Sequence, residues 1–311
     1  MKTPLPSLTT HLTGKLLRSI AASCALVAAV AVRGQIVVPN ITGGNIGLYT
    51  TGGGTINSSL FTGFSAALNT AAALNGDFYV VDQSAGTLGQ YTTAGTVVNA
   101  TLLSGLTSPS VMAVSSTGNI YVASNTGVVS EYTSTGVLIN AALFSAGSAP
   151  RGMVLDGSGN IYITSYGTGN VGKYNATTGA TINAALINIA SGSYGLAIDS
   201  SGFLYVNDPN NGIVGRYNSV TGAGGSFITG LTGNFFTAVD SSGNIYVSNN
   251  TAGTIAEFNS AGTLINGSFI TGLTNPGGFS FIAVPEPATW ALLASGGLLL
   301  GWTRSLRRRR R

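Results

Sequence analysis

A period of 41 to 43 residues runs through this chain and limits what it can fold into more than any single motif does. The segments GDFYVVD, GNIYVAS, GNIYITS, GFLYVND and GNIYVSN place Tyr79, Tyr121, Tyr162, Tyr205 and Tyr246 at that spacing. A second series, GLYTTGG, GQYTTAG, SEYTSTG, GKYNATTG, GRYNSVTG and AEFNSAG, sets Tyr49, Tyr91, Tyr132, Tyr174, Tyr217 and Phe258 at similar intervals. After most of these comes an Asn inside an apolar stretch, as in VNATLL, INAALF and INGSFI, whereas the fifth copy departs with GAGGSFI. Units of this kind bury their apolar faces against one another, so the repeat governs how every local motif is read.

A unit of about 41 residues divides into four strands of five or six residues joined by short turns. Stretches such as NIYV and GLAID carry the aromatic, β-branched and apolar residues of strands, while DGSG, DSSG and STGN are hairpin turns in which Gly supplies positive φ and Asp or Ser bonds the local backbone. Four short strands at this period predict a β-propeller blade, and closing the blades into a ring hides the sheet edges. Closure can be tested within the sequence. GQIVVPNITGGNIGLYT (34–50) aligns without a gap to GFLYVNDPNNGIVGRYN (202–218), so the first blade starts at its second strand. Its missing first strand stands at the other end, where NPGGFSFIAV (275–284) matches the blade openings APRGMVLD and GSYGLAID. The expectation is an all-β, six-bladed β-propeller of four-stranded blades over 35–284, one blade being joined from N- and C-terminal strands. The repeats resemble those of NHL-type and related six-bladed propellers of bacterial surface proteins, through the rhythm P-x-G…D-x-x-G-N-I-Y-V. The resemblance implies the fold and no one function, because propellers host lyases, lactonases, peptide binders and scaffolds alike.

The two ends read as addresses. Residues 1–34 have the layout of a secretory signal: basic residues, the apolar stretch SIAASCALVAAVAV, then small residues before Gln35, with cleavage expected after Ala31 or Gly34. Behind VPEP at the other end comes an apolar run from Ala288 to Trp302, and then Arg304 and Arg307 to Arg311. As a helix that run would be roughly 22 Å long, short against a hydrocarbon core of about 30 Å, and needs its flanks to span it. Arginines directly behind it favour the cytoplasm, leaving the repeats on the outer side of the inner membrane. VPEP, the apolar segment and the Arg-rich end, in that order over 285–311, resemble the PEP-CTERM sorting signal of Gram-negative bacteria. The resemblance implies that Pro285, Glu286 and Pro287 are recognised by an exosortase-type membrane peptidase. The chain would pass through the secretion machinery, stay transiently in the membrane through 288–302 with its C-terminus cytoplasmic, and reach the cell surface or extracellular matrix. Proteins with this signal are commonly linked with exopolysaccharide and biofilm.

With the ends set aside, the charges change meaning. The formal charge of the whole chain is +4, but the repeats hold only three basic residues, Arg151, Lys173 and Arg216, against eight acids. A mildly acidic domain is not expected to bind nucleic acid. Its chemistry is narrow too. The single histidine is His11 and the single cysteine Cys24, both inside the signal, so the repeats can assemble neither a Ser-His-Asp nor a Cys-His arrangement. Streptogramin-inactivating propeller lyases, similar in their repeats, rely on a histidine that cannot be placed here. No catalytic residue, metal ligand or cofactor is assigned.

Asp156, Asp199 and Asp240 occupy the same turn in successive blades and read as turn caps. Asp82 and Asp208 follow second strands, on the face where loops enter each blade, so the alternative to a binding or structural role is a calcium-dependent, lactonase-like hydrolase using acidic residues. The same face should carry Arg151 in APRGM, Tyr166 in TSYGTG, Tyr194 in GSYGL and Phe235 with Phe236 in GNFFT. Aromatic rings beside an isolated Arg suit sugar rings and hydroxyls. The expected ligand site is therefore Arg151, Tyr166, Tyr194, Asp208 and Phe235, on a non-enzymatic surface propeller that is adhesive, structural or exopolysaccharide-binding.

Overall fold

The structure, a computed structural model, describes residues 33–189 and 192–284. The signal segment up to residue 32, the sorting residues Pro285, Glu286 and Pro287, and the apolar run and arginines behind them lie outside the described residues. Gly34–Ala283 form one compact unit.

Every described sheet has four antiparallel strands. The first blade consists of β1 (Arg33–Asn40), β2 (Asn45–Thr50) and β3 (Thr55–Thr62), completed by β24 (Ser280–Val284) alongside β1. The second blade follows as β4 (Ala67–Ala72), β5 (Phe78–Asp82), β6 (Thr87–Tyr91) and β7 (Val97–Leu103), and the third as β8 (Pro109–Val114), β9 (Ile120–Ser124), β10 (Val128–Tyr132) and β11 (Leu138–Ser145). In the fourth are β12 (Pro150–Leu155), β13 (Asn160–Ser165), β14 (Asn170–Asn175) and β15 (Thr181–Asn188). The fifth holds β16 (Leu196–Ile198), β17 (Phe203–Asp208), β18 (Ile213–Asn218) and β19 (Gly224–Ile228), and the sixth β20 (Asn234–Val239), β21 (Ile245–Asn249), β22 (Thr254–Phe258) and β23 (Leu264–Ile270). This is the expected six-bladed propeller, and β24 beside β1 is the expected closure. Pairing of β1 with β2 begins at Gln35, opposite Thr50.

The core is a ring of interfaces between blades. Second strands are buried on both faces, which is why they read as continuous apolar runs and not as alternating ones. Along β13, Ile161 and Ile163 pack toward the third blade with Phe144 and Tyr174, while Tyr162 faces the fifth with Leu204 and Val206. The same logic holds across the seam: Ile36, Val38 and Tyr49 of the first blade share a cluster with Phe236, Tyr246 and Ile255 of the sixth. First strands of all six blades line a central channel of about 360 Å³.

One expectation needs correcting. Strands are not uniformly five or six residues: outer strands such as β3, β11 and β15 reach eight, and β16 has only three. The extra length comes from a bulge at the repeated Asn. Asn57, Asn99, Asn140, Asn183 and Asn266 each accept, at 2.9 to 3.1 Å, the backbone N–H two residues on. Pairing shifts register beside each of them. An Asx bond of this kind inserts a residue and bends the edge.

Candidate functional site

Connections alternate between two faces of the ring. On the lower face, the turn between first and second strands is closed by an acid: Asp156 Oδ1 accepts the Ser158 and Asn160 amides at 2.8 and 2.9 Å, and Asp199 and Asp240 repeat the arrangement. Their second oxygens meet the repeated tyrosines, with Tyr162, Tyr205 and Tyr246 hydroxyls 3.0 to 3.1 Å from Asp156, Asp199 and Asp240. Burial pushes the Asp156 carboxyl up, but hydrogen bonds from Asn160, Ser158 and Tyr162 outweigh it and hold the group below its ordinary value. These acids serve the fold, as the sequence suggested. Lys173 and Arg216 also belong to this face. Lys173 donates to the Ser219 carbonyl at 3.3 Å, and Arg216 lies over the Phe203 ring at 3.8 Å, 3.9 Å from Asp199.

The upper face carries the turns after second strands and the loops that enter each blade. Those loops corner sharply. Ser108, Ala149 and Asn275 take φ values of 45°, 52° and 56°, and Gly192 and Gly233 stand at the equivalent place in their blades. Non-glycine residues in the left-handed region, recurring at one structural position, mark a corner that the surrounding structure enforces. Directly after the corner the first strand bulges, its pairing skipping from Pro150 to Met153 and from Asn234 to Thr237. Second-strand hydroxyls fill the gap. Thr164 Oγ1 accepts the Gly152 amide and donates to the Tyr194 carbonyl, both at 2.7 Å, and Ser248 Oγ accepts the Phe236 amide at 3.0 Å. A bulge re-aims the side chain it carries.

Arg151, Tyr194 and Phe235 occupy this same bulged position in the fourth, fifth and sixth blades, where the other three have Leu68, Ser110 and Gly277. Blade-to-blade contact fixes them side by side. The Gly195 amide donates to the Phe235 carbonyl at 2.8 Å, and a Cβ on Gly195 would lie 2.6 Å from that oxygen, so glycine alone permits the approach. Tyr194 thereby becomes the centre of an aromatic cluster, edge-on to Phe235 at 4.7 Å, to Tyr166 at 5.6 Å and to Phe236 at 5.7 Å. The Arg151 guanidinium lies 5.8 Å from the Tyr194 ring centre. Burial raises the Tyr194 phenol above its ordinary value, against the lowering effect of Arg151. Tyr166 is the exposed member, at 41%. Among the described residues Arg151 is the one charged residue lining the channel, and its Nε, like that of Arg216, is buried without a hydrogen-bond partner.

Four of the five residues named from sequence, Arg151, Tyr166, Tyr194 and Phe235, therefore meet. Asp208 does something else: it is 7% exposed and accepts hydrogen bonds from Asn211 within its own turn. Asp82 resembles it, accepting the Ser65, Ala66 and Ala85 amides at 2.7 to 3.2 Å. Asp82 and Asp208 stand in the second and fifth blades, on opposite sides of the ring. Among the described residues no three acids, histidines or cysteines gather where they could hold a metal ion. Sequence reading missed the hydroxyls of Thr164 and Ser248, whose only signal is a polar residue near the end of an apolar second strand.

Comparison with known proteins assigns the end of the chain. Residues 283–311 match the model of the PEP-CTERM protein-sorting motif. The chain carries a PEP-CTERM sorting signal. It is thus an exported propeller protein, held at the membrane by its C-terminus before sorting by an exosortase-type system. No curated protein matches the sequence. Among solved structures the propeller is similar to a chain of a nidogen/laminin complex, at 18% identity and a TM-score of 0.70, covering 81% of this chain and 99% of that one. A gluconolactonase from Xanthomonas campestris has 16% identity and a TM-score of 0.58, with 69% and 79% covered. A streptogramin B lyase has 15% identity and a TM-score of 0.53, with 84% and 76% covered. At these identities the likeness is one of fold.

Proposed function

We propose that residues 35–284 work outside the cell as a non-enzymatic, saccharide-binding propeller of the exopolysaccharide or biofilm matrix, freed from a signal over 1–34 and from the sorting segment 285–311. The observation that carries this reading is the convergence of Tyr166, Tyr194 and Phe235 from three successive blades beside an Arg with no carboxylate partner. Aromatic rings held in fixed orientation present apolar faces to sugar C–H groups, and the neighbouring donor bonds hydroxyls or acid groups. Sorting to the surface or matrix would bring such a site to its polymer.

Enzymatic readings draw less support. The virginiamycin B lyase of Staphylococcus aureus, a similar propeller, has been described as catalytically inactive in a form with one histidine replaced by alanine, and this chain's single histidine is His11. Lactonase-like hydrolysis with bound calcium would need convergent acids, whereas Asp208 caps its own turn and Asp82 caps its turn and the loop entering its blade. Raised melting temperature in millimolar calcium would revive that reading. The direct test is co-sedimentation of the protein with exopolysaccharide from its own producing cells. Saturable binding that Tyr194→Ala weakens by about tenfold or more supports the proposal, in line with the cost of truncating a central aromatic anchor. Binding that Tyr194→Ala leaves unchanged, in a variant that still melts cooperatively, overturns it.

A further inference from the structure

Within the saccharide-binding reading, on which this step rests, the geometry points to an acidic sugar: we infer that the site takes a uronate unit, its carboxylate on Arg151 and its ring against Tyr194 and Tyr166. The propeller has three cations and engages two of them within its own fold. Lys173 is spent on the Ser219 carbonyl and the Tyr162 ring, and Arg216 on Asp199 and the Phe203 ring, both on the lower face. Arg151 is treated differently. It lines the channel from the upper face, and among the described residues no acid lines the channel with it and no carboxylate pairs with it; its Nε, like that of Arg216, is buried without a hydrogen-bond partner.

What separates the two arginines is the counter-ion: Arg216 has Asp199, whereas the Arg151 charge faces the channel with none, and a partly buried charge left uncompensated is costly. A carboxylate is the matching group, because its two oxygens meet the planar fork of the guanidinium in parallel. Position adds to chemistry. The bulge that presents Arg151 is stapled through Thr164 to the Tyr194 carbonyl, so cation and ring are fixed relative to each other before any ligand arrives. In the other three blades the equivalent positions hold Leu68, the buried Ser110 and Gly277, so the charged and aromatic residues are confined to one side of the ring. A neutral hexose would leave the Arg151 charge uncompensated, whereas a uronate neutralises it. Selectivity for the acid over its neutral ester should therefore exceed the general affinity for sugar.

The experiment compares binding of the full chain, purified in detergent, to oligomers of galacturonate, glucuronate and mannuronate and to their methyl esters. The expected result is about tenfold or greater preference for the acids, falling as salt is raised, abolished by Arg151→Gln and retained by Lys173→Gln. Equal binding of acids and esters would overturn this inference and leave the broader saccharide reading standing. Binding of neither class to a cooperatively melting protein would overturn both. Preference for acids that survives in Arg151→Gln would also overturn it, by placing the recognition elsewhere.

Discussion

Tyr162 shows how one side chain serves turn, strand and ring at once. Its ring is fully buried between the fourth and fifth blades, and its hydroxyl lies 3.0 Å from Asp156 in its own blade and 3.2 Å from the Ser219 carbonyl in the next. Replacing it with Phe removes the hydroxyl and leaves buried acceptors behind, a loss of about 1–3 kcal/mol. The same change at the exposed Tyr166 should stay within about 0.5 kcal/mol, and urea denaturation of the two variants separates the cases. These phenols also set an alkaline limit. Burial first, and the Asp199 carboxylate second, push the Tyr205 phenol up to about 12 from its ordinary value of 10. Tyr121 and Tyr246 are raised for the same reasons by Glu131 and by Asp240 with Glu257. The native state thus holds its protons where the unfolded chain would release them. Stability is fully present below pH 10 and is lost as pH rises toward 12, which the urea midpoint followed together with tyrosinate absorbance would reveal. A midpoint that stays level across that range would contradict the buried, acid-bonded placement of these rings. The Asp-to-Tyr bond was not legible in sequence, although both residues were: it depends on the register that sets Tyr162 six residues beyond its turn acid and facing back along the strand.

Among the elements, β24 bears the greatest consequence for its size. Five residues complete the first blade beside β1, and Thr70 of the second blade is tied to the same region through the Gly278 carbonyl at 2.8 Å. Deleting residues 278–284 should abolish the cooperative thermal transition, because it exposes the edge of β1 and opens the cluster between the first and sixth blades. An unchanged melting profile in the truncated protein would mean that the ring is not closed in this way. Closure was legible because first-strand residues at one end matched the openings of complete repeats. The lengths of the outer strands were not, since the bulge at Asn57 and its equivalents adds a residue that composition does not announce. Blade five illustrates the dependence. GAGGSFI lacks the Asn, and its outer strand β19 is correspondingly shorter, at five residues. Bulged edges also resist pairing with other chains, which suits an exported protein with apolar residues such as Ile139 and Ile182 half exposed on those strands.

At the scale of the whole molecule, the address and the ring were read from different kinds of signal. Period and alignment disclosed the ring, while an ordered C-terminal motif disclosed the sorting signal, now matched over 283–311. The proposed binding face was legible in part. Arg151, Tyr166, Tyr194 and Phe235 were found because blade equivalence places them on one face, but that equivalence could not tell which members would point into solvent and which would turn inward, as Asp208 does. The strands that close the ring lie beside both proposed cuts, with β1–β2 pairing starting at Gln35 and β24 ending at Val284, directly before Pro285. The proposed cuts would remove only Arg33 and Gly34 from β1 and nothing from β24, so the proposal requires that residues 35–284 persist as a complete propeller once both ends are gone. Intact-mass measurement of the protein recovered from the cell surface and medium tests it most directly. The expected result is one folded species that begins near Gln35 and ends within or just before Pro285 to Pro287. A surface species still carrying Arg311 would contradict it.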